Sequence, residues 1–110
     1  MRRSVLRIGL VACCAKKGAE PCAAKDLYLY PLFKKSRDWV ERHCDRWLIL
    51  SAEHGDLAPE TVIAPYDRTL NQMSANDRRV WGDLVRQQLE SVAGSRFVAL
   101  AGVRYCEPLV

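Results

Sequence analysis

Two short polar units in this chain carry the residue types that acid–base chemistry and ligand binding need. The first, Ser51-Ala52-Glu53-His54-Gly55, follows directly on the apolar run Trp47-Leu48-Ile49-Leu50, and the second is Pro65-Tyr66-Asp67-Arg68-Thr69-Leu70. An imidazole has an ordinary pKa of about 6.5, so His54 can give or take a proton near neutral pH. A carboxylate such as Asp67 can orient that imidazole or position an attacking water. Ser51 and Tyr66 add hydroxyls, and Tyr66 a ring face on which a base could stack. Ordinary structural roles compete for the same residues. His54 could cap a turn through its backbone, and Asp67 could bond the amides of its own turn.

The elements that must position these units read as an α/β pattern. Val5–Cys13 (VLRIGLVAC) and Arg46–Ser51 are apolar and β-branched in the manner of buried parallel strands, and Arg96–Val103 reads as a third. A helix is expected from Pro31, which suits a first helical turn, to Cys44, with Leu32, Phe33, Ser36, Val40 and Cys44 on its inner face. A second is expected over Ser74–Ala93, capped by Ser74 with Asp77 in its first turn and stopped at Gly94. Its apolar face would carry Val80, Trp81, Leu84, Val85, Leu89 and Val92. Thr61–Ala64 suits an extended segment or a small edge strand. The order β-α-β-α-β predicts one α/β domain over residues 1–110, a small, mostly parallel sheet with helices on its faces in a three-layer arrangement. Open sheets of this kind bind ligands beyond the carboxyl ends of their strands, which is where His54 falls.

The same rim should receive Lys16 and Lys17, which follow the first strand as candidate phosphate or carboxylate contacts, and Tyr28 and Tyr30, which precede the first helix. The alternatives are solvated lysines, and tyrosines packing a strand–helix junction. Neither GxxxxGK[ST] nor GxGxxG is present, so a phosphate-handling enzyme for free nucleotides lacks its usual glycine-rich cradle, and no cofactor is expected. The five cysteines form no CxxC framework. A metal cluster of Cys13 or Cys14 with Cys22, His43 and Cys44 can be drawn, but adjacent cysteines rarely serve one zinc, and no metal is expected. The cysteines read as small buried hydrophobes of a reducing cytoplasm. The net charge of +4 permits contact with nucleic acid without requiring it. No apolar run approaches the length of about 20 residues that a membrane span needs, and Arg7 interrupts the apolar N-terminal stretch, against a signal peptide.

Taken together, Tyr28-x-x-Pro31-Leu32-Phe33, Ser51-Ala52-x-His54-Gly55, Pro65-Tyr66-Asp67-x-Thr69-Leu70 and Ala101-Gly102-x-x-Tyr105 make the chain resemble a family of bacterial and phage domains of unknown function. The usual pattern there is a strand ending in Cys with nearby lysines, then dLYxSpLF, LSAkHGLL, PYDxTL and laGxxY. The resemblance implies a fold akin to uracil-DNA-glycosylase-like domains, with a distant similarity to DNA-binding peroxide-stress proteins and to domains attached to tRNA base-modifying enzymes. By analogy it points to nucleic acid or nucleobases. Tyr30 departs from the pattern's Ser, Glu53 from its frequent Lys, and Asp56 from its first Leu after His-Gly. The family also usually continues past Leu109 into a further turn and helix. On that ground a shortened sheet flank and self-association through it are expected.

Two functions fit. One is an enzyme acting on a nucleobase, most directly by N-glycosidic cleavage, with His54 and Asp67 as catalytic groups, Lys16 and Lys17 on flanking phosphates, and Ser51, Tyr28, Tyr30 and Tyr66 binding the substrate. The alternative is a non-catalytic domain that binds DNA or RNA.

Overall fold

Gly9 marks the centre of the fold. A Cβ built on it would lie 2.6 Å from Val40 Cγ1, 2.8 Å from Val40 Cβ and 3.3 Å from Cys44 Sγ, so a helix packs straight onto the strand at the one position without a side chain. In this computed structural model, residues 6–13, 17–67, 70–92 and 94–101 are described. Val5, Cys14, Lys16, Arg68, Thr69, Ala93, Gly102, Val103 and Tyr105 lie outside them, as does the expected uncovered flank after residue 101.

In chain order the elements are β1 (Arg7–Ala12), β2 (Cys22–Ala23), α1 (Ala24–Leu27), α2 (Pro31–His43), β3 (Arg46–Ser51), β4 (Gly55–Leu57), β5 (Val62–Ile63), α3 (Ala75–Gln88) and β6 (Arg96–Leu100), with 3-10 turns at Leu70–Gln72 and Leu89–Val92. A four-stranded sheet has the order β4-β3-β1-β6. β1 pairs in parallel with β3 (Gly9 opposite Trp47, Val11 opposite Ile49) and with β6 (Gly9 opposite Val98). The three apolar runs thus form the expected parallel sheet, and α2 packs on β1 and β3.

The fourth strand was not legible. β4 turns back antiparallel on β3, with Gly55 opposite Ser51 and Leu57 opposite Ile49, so the residues after His54 form a sheet edge and not a loop. The segment 61–64 does contain a short strand, β5, but it pairs with β2 outside the main sheet, Cys22 opposite Ile63.

Both long helices start where expected: Pro31 opens α2, and Ser74 Oγ accepts the Asp77 amide at 3.1 Å to cap α3. Their buried faces are narrower than the apolar pattern. On α2, Phe33 and Val40 are buried, but Leu32, one position off their stripe, is 75% exposed. On α3, Trp81, Gly82 and Val85 are buried while Val80 and Leu84 are exposed. In the sheet α3 packs mainly on the three-residue strand β4, which cannot cover a wide stripe. Regular α-helix ends at Gln88, and the last expected turn is 3-10. The core joins Ile8, Leu10, Val11, Leu27, Tyr28, Phe33, Val40, Ile49, Leu50, Leu70, Trp81 and Val85. Among the described residues, no helix is long and apolar enough to cross a membrane.

Candidate functional site

The register of β1 on β3 sets the site. Ala12 lies opposite Leu50, and the Cys13 amide donates to Leu50 O at 3.0 Å, so the ladder runs one step further and brings Cys13 and Ser51 side by side at the carboxyl ends of two parallel strands. Both residues are buried.

Past β3 the chain must turn sharply to return as β4. Ser51 Oγ accepts the amides of Glu53 (3.2 Å) and His54 (3.0 Å), and Gly55 takes the left-handed conformation at φ +74°. α3 clamps this turn. Trp81 Nε1 donates to Ser51 O at 2.8 Å, Gln88 Oε1 accepts the Asp56 amide at 2.6 Å, and Gln88 Nε2 donates to His54 O at 3.3 Å. A side chain at Gly55 would be strained by that φ and would collide with Gln88 Oε1.

The second polar unit arrives through the small sheet. Pairing of β5 with β2, together with bonds from the Ala24 amide to Thr61 O (2.8 Å) and the Lys25 amide to Pro59 O (2.9 Å), lays the returning chain against the segment that carries Tyr28. Tyr66 then reaches both units: its hydroxyl is 2.8 Å from Ser51 Oγ and 2.6 Å from the Tyr28 hydroxyl. Proton counting gives this chain a direction. A serine hydroxyl has two acceptor lone pairs and one proton. The two amides occupy the lone pairs, so Ser51 donates to Tyr66, and Tyr66 in turn donates to Tyr28.

Two groups pack on the Tyr66 ring. Lys17 Nζ stands 4.3 Å from the centre of its ring and 5.8 Å from that of Tyr28, a cation–π arrangement fixed by the bridge that pairs Lys17 with Tyr28 and by the Gly18 amide bonding Leu27 O at 2.9 Å. The exposed His54 ring meets Tyr66 edge-on, 5.5 Å between centroids at 86°. Burial raises the Tyr66 phenol far above its ordinary pKa, and a negative charge on Cys13 or Tyr28 would raise it further, so Tyr66 is a neutral hydrogen-bonding group at physiological pH.

Of the residues expected to share a site, Lys17, Tyr28, Ser51, His54 and Tyr66 are therefore joined by direct contacts. Asp67 follows Tyr66 but is exposed, and among the described residues no hydrogen bond or ion pair joins it to His54. Tyr30 is the exposed residue preceding α2, with no contact to the hydroxyl chain among the described residues. Lys16 lies outside them. Tyr28 is only 1% exposed, so it offers a hydroxyl and no open ring face. Sequence reasoning passed over Cys13, Trp81, Gln88 and Asp56 as site residues. Cys13 had a signal in its parity with Gly9 and Val11 on a strand pointing at the rim, whereas the other three act through tertiary contacts that leave no local pattern. Asp56 Oδ1 is buried without a hydrogen-bond partner among the described residues, and its carboxyl is raised by burial against the opposing pull of Arg46. Among the described residues no group of three or more His, Cys, Asp or Glu side chains could hold a metal ion.

The chain is 29% identical over 109 residues to the uncharacterized protein YfjM of Bacillus subtilis (strain 168), covering 90% of this chain and 71% of that protein. No solved structure matches it. The model of a family of unknown function, DUF6884, matches residues 8–110, nearly the whole chain. The chain belongs to this family of unknown function, DUF6884.

Proposed function

We propose that the cluster around Tyr66 is a site acting on a nucleobase within a nucleic acid or nucleotide, with N-glycosidic hydrolysis as its reaction and the fold read as a three-layer α/β domain of the uracil-DNA-glycosylase-like kind. The observation that carries this reading is that an exposed imidazole and a lysine ammonium both contact one tyrosine ring. That ring is held by hydrogen bonds of 2.6 and 2.8 Å at its hydroxyl. Preorganised polar groups of this kind stabilise developing charge without reorganising.

In the proposed step, water adds to the sugar carbon C1′ and the C1′–N bond breaks. The bonding pair stays on the base nitrogen, which takes a proton from the His54 imidazolium, while Asp67 accepts the proton lost by the water. Lys17 would hold the flanking anion. Tyr66, Ser51 and Tyr28 act as positioning residues, because a phenol held neutral is a poor base.

The test is incubation with modified and unmodified DNA and tRNA, followed by mass spectrometry of released bases. Wild-type protein should release a base, and His54→Ala and Asp67→Asn should lose at least about tenfold, or 1.4 kcal/mol of barrier, with near-normal folding. A second reading, a non-catalytic nucleic-acid-binding domain, is favoured by the lack of a His54–Asp67 contact among the described residues. Binding that falls steeply with salt, with no base released, would select that reading.

A further inference from the structure

On another side of Tyr28 lies a cleft of 430 Å³ between α1 and α2, lined also by Lys25, Lys34 and Arg37. That volume falls in the range of about 300–1,000 Å³ typical of small-molecule sites. Arg37 is held on one side: Nη1 donates to Lys25 O (2.9 Å) and Asp26 Oδ1 (3.0 Å), and Nε donates to Glu41 Oε2 (3.3 Å). Its guanidinium therefore serves as a fixed wall that bridges two carboxylates. Asp38, a third carboxylate of the lining, pairs with Arg42 at 3.4 Å. Lys25 and Lys34 are different. Neither ammonium has an ion pair or side-chain hydrogen bond among the described residues, so the cleft carries two uncommitted cations, one on each helix.

We propose that this cleft binds a nucleotide phosphate between Lys25 and Lys34, while the base is handled at the Tyr66 cluster. The inference rests on the base-directed reading above and deepens it. Tyr28 links the two places, since it lines the cleft and receives the Tyr66 proton. Lysines suit the task because an ammonium on a flexible stem meets a phosphate as a point charge and needs no planar fork. The substrate class that follows is a phosphorylated nucleoside, free or within a strand, in preference to a free base or nucleoside.

The experiment measures binding of uridine, uridine 5′-monophosphate and a fluorescein-labelled ten-nucleotide deoxythymidine strand by wild type, by Lys25→Ala/Lys34→Ala, and by Lys35→Ala as a control on the same helix outside the cleft. Wild type should prefer the monophosphate over uridine by about tenfold or more. The double variant should reduce that preference at least about fivefold and flatten the salt dependence of strand binding by about one unit per lysine, with an unchanged denaturation midpoint. Strand binding alone that responds this way identifies a backbone phosphate, and a response of the monophosphate identifies a free nucleotide; both support the cleft. Equal binding of uridine and its monophosphate with a double variant indistinguishable from wild type overturns it, as does an equal loss in Lys35→Ala or no binding of any probe. Base release lost in His54→Ala but retained in the lysine variant would leave the base-directed reading standing and sink this inference alone.

Discussion

Replacing Tyr66 with Phe keeps the ring, and with it the contacts to Lys17 and His54, but deletes the oxygen at the middle of the hydroxyl chain. Ser51 is fully buried, and among the described residues its proton has no other hydrogen-bond acceptor while the Glu53 and His54 amides hold its lone pairs. Tyr28, also buried, loses the proton it accepted at 2.6 Å. A buried polar group left unsatisfied costs about 1–3 kcal/mol, so the Ser51 hydroxyl alone should lower stability by about that much. In a domain of this size that corresponds to a fall in Tm of about 5–15 °C. Ser51→Ala removes the same link from its other end and strips two amides of their acceptor. The double variant should therefore cost less than the sum of the singles, by about 1 kcal/mol of coupling. Urea denaturation at constant slope measures all four members of the cycle. A Tyr66→Phe loss under about 0.5 kcal/mol, the level of an ordinary surface substitution, or strict additivity with Ser51→Ala, would refute the directed hydroxyl chain.

The other expectations concern the frame around the site. Asp56 has a raised pKa in the folded protein because its carboxylate is partly buried with an unpartnered oxygen, so its charge weakens the fold as pH rises through that pKa. Asp56→Asn should raise Tm by a few degrees at pH 7–8, and the gain should vanish towards pH 3, where the carboxyl is protonated in the folded and unfolded states alike. Gly9→Ala should destabilise by about 1–3 kcal/mol through overpacking against Val40 and Cys44, read as a lower denaturation midpoint. Trp81→Phe should cost about 1 kcal/mol by removing the indole bond to Ser51 O, and the His54 amide should then exchange faster with deuterium because that clamp on its turn is gone.

The fold was legible where burial leaves a local imprint. β1, β3 and β6 are runs of apolar and β-branched residues because their strands pair in parallel inside the sheet, and Ser74 announces α3 because its cap is satisfied within one turn. β4 left no imprint. Gly55-Asp56-Leu57 is too short for a periodicity, and its place is set by Gln88, far along the chain. The site was legible as an address. Ser51 and His54 follow one parallel strand and Lys17 the loop after another, so geometry brings them to one rim. What joins them could not be read from sequence, because the hydroxyl chain links Ser51, Tyr66 and Tyr28 from three separate segments. The placing of Tyr28 depends on its bridge to Lys17, a pairing between separate segments. Asp67 adjoins Tyr66 in sequence, and among the described residues no hydrogen bond or ion pair joins it to His54.

The most direct test of the Tyr66 cluster as the ligand site is an NMR titration of isotopically labelled protein with the ten-nucleotide deoxythymidine strand. Saturable shifts concentrated on Lys17, the Glu53–Gly55 amides, the His54 ring and Tyr66, and abolished by His54→Ala, are the predicted result. Shifts absent from these residues while the strand is bound elsewhere on the sheet or helices would contradict the site.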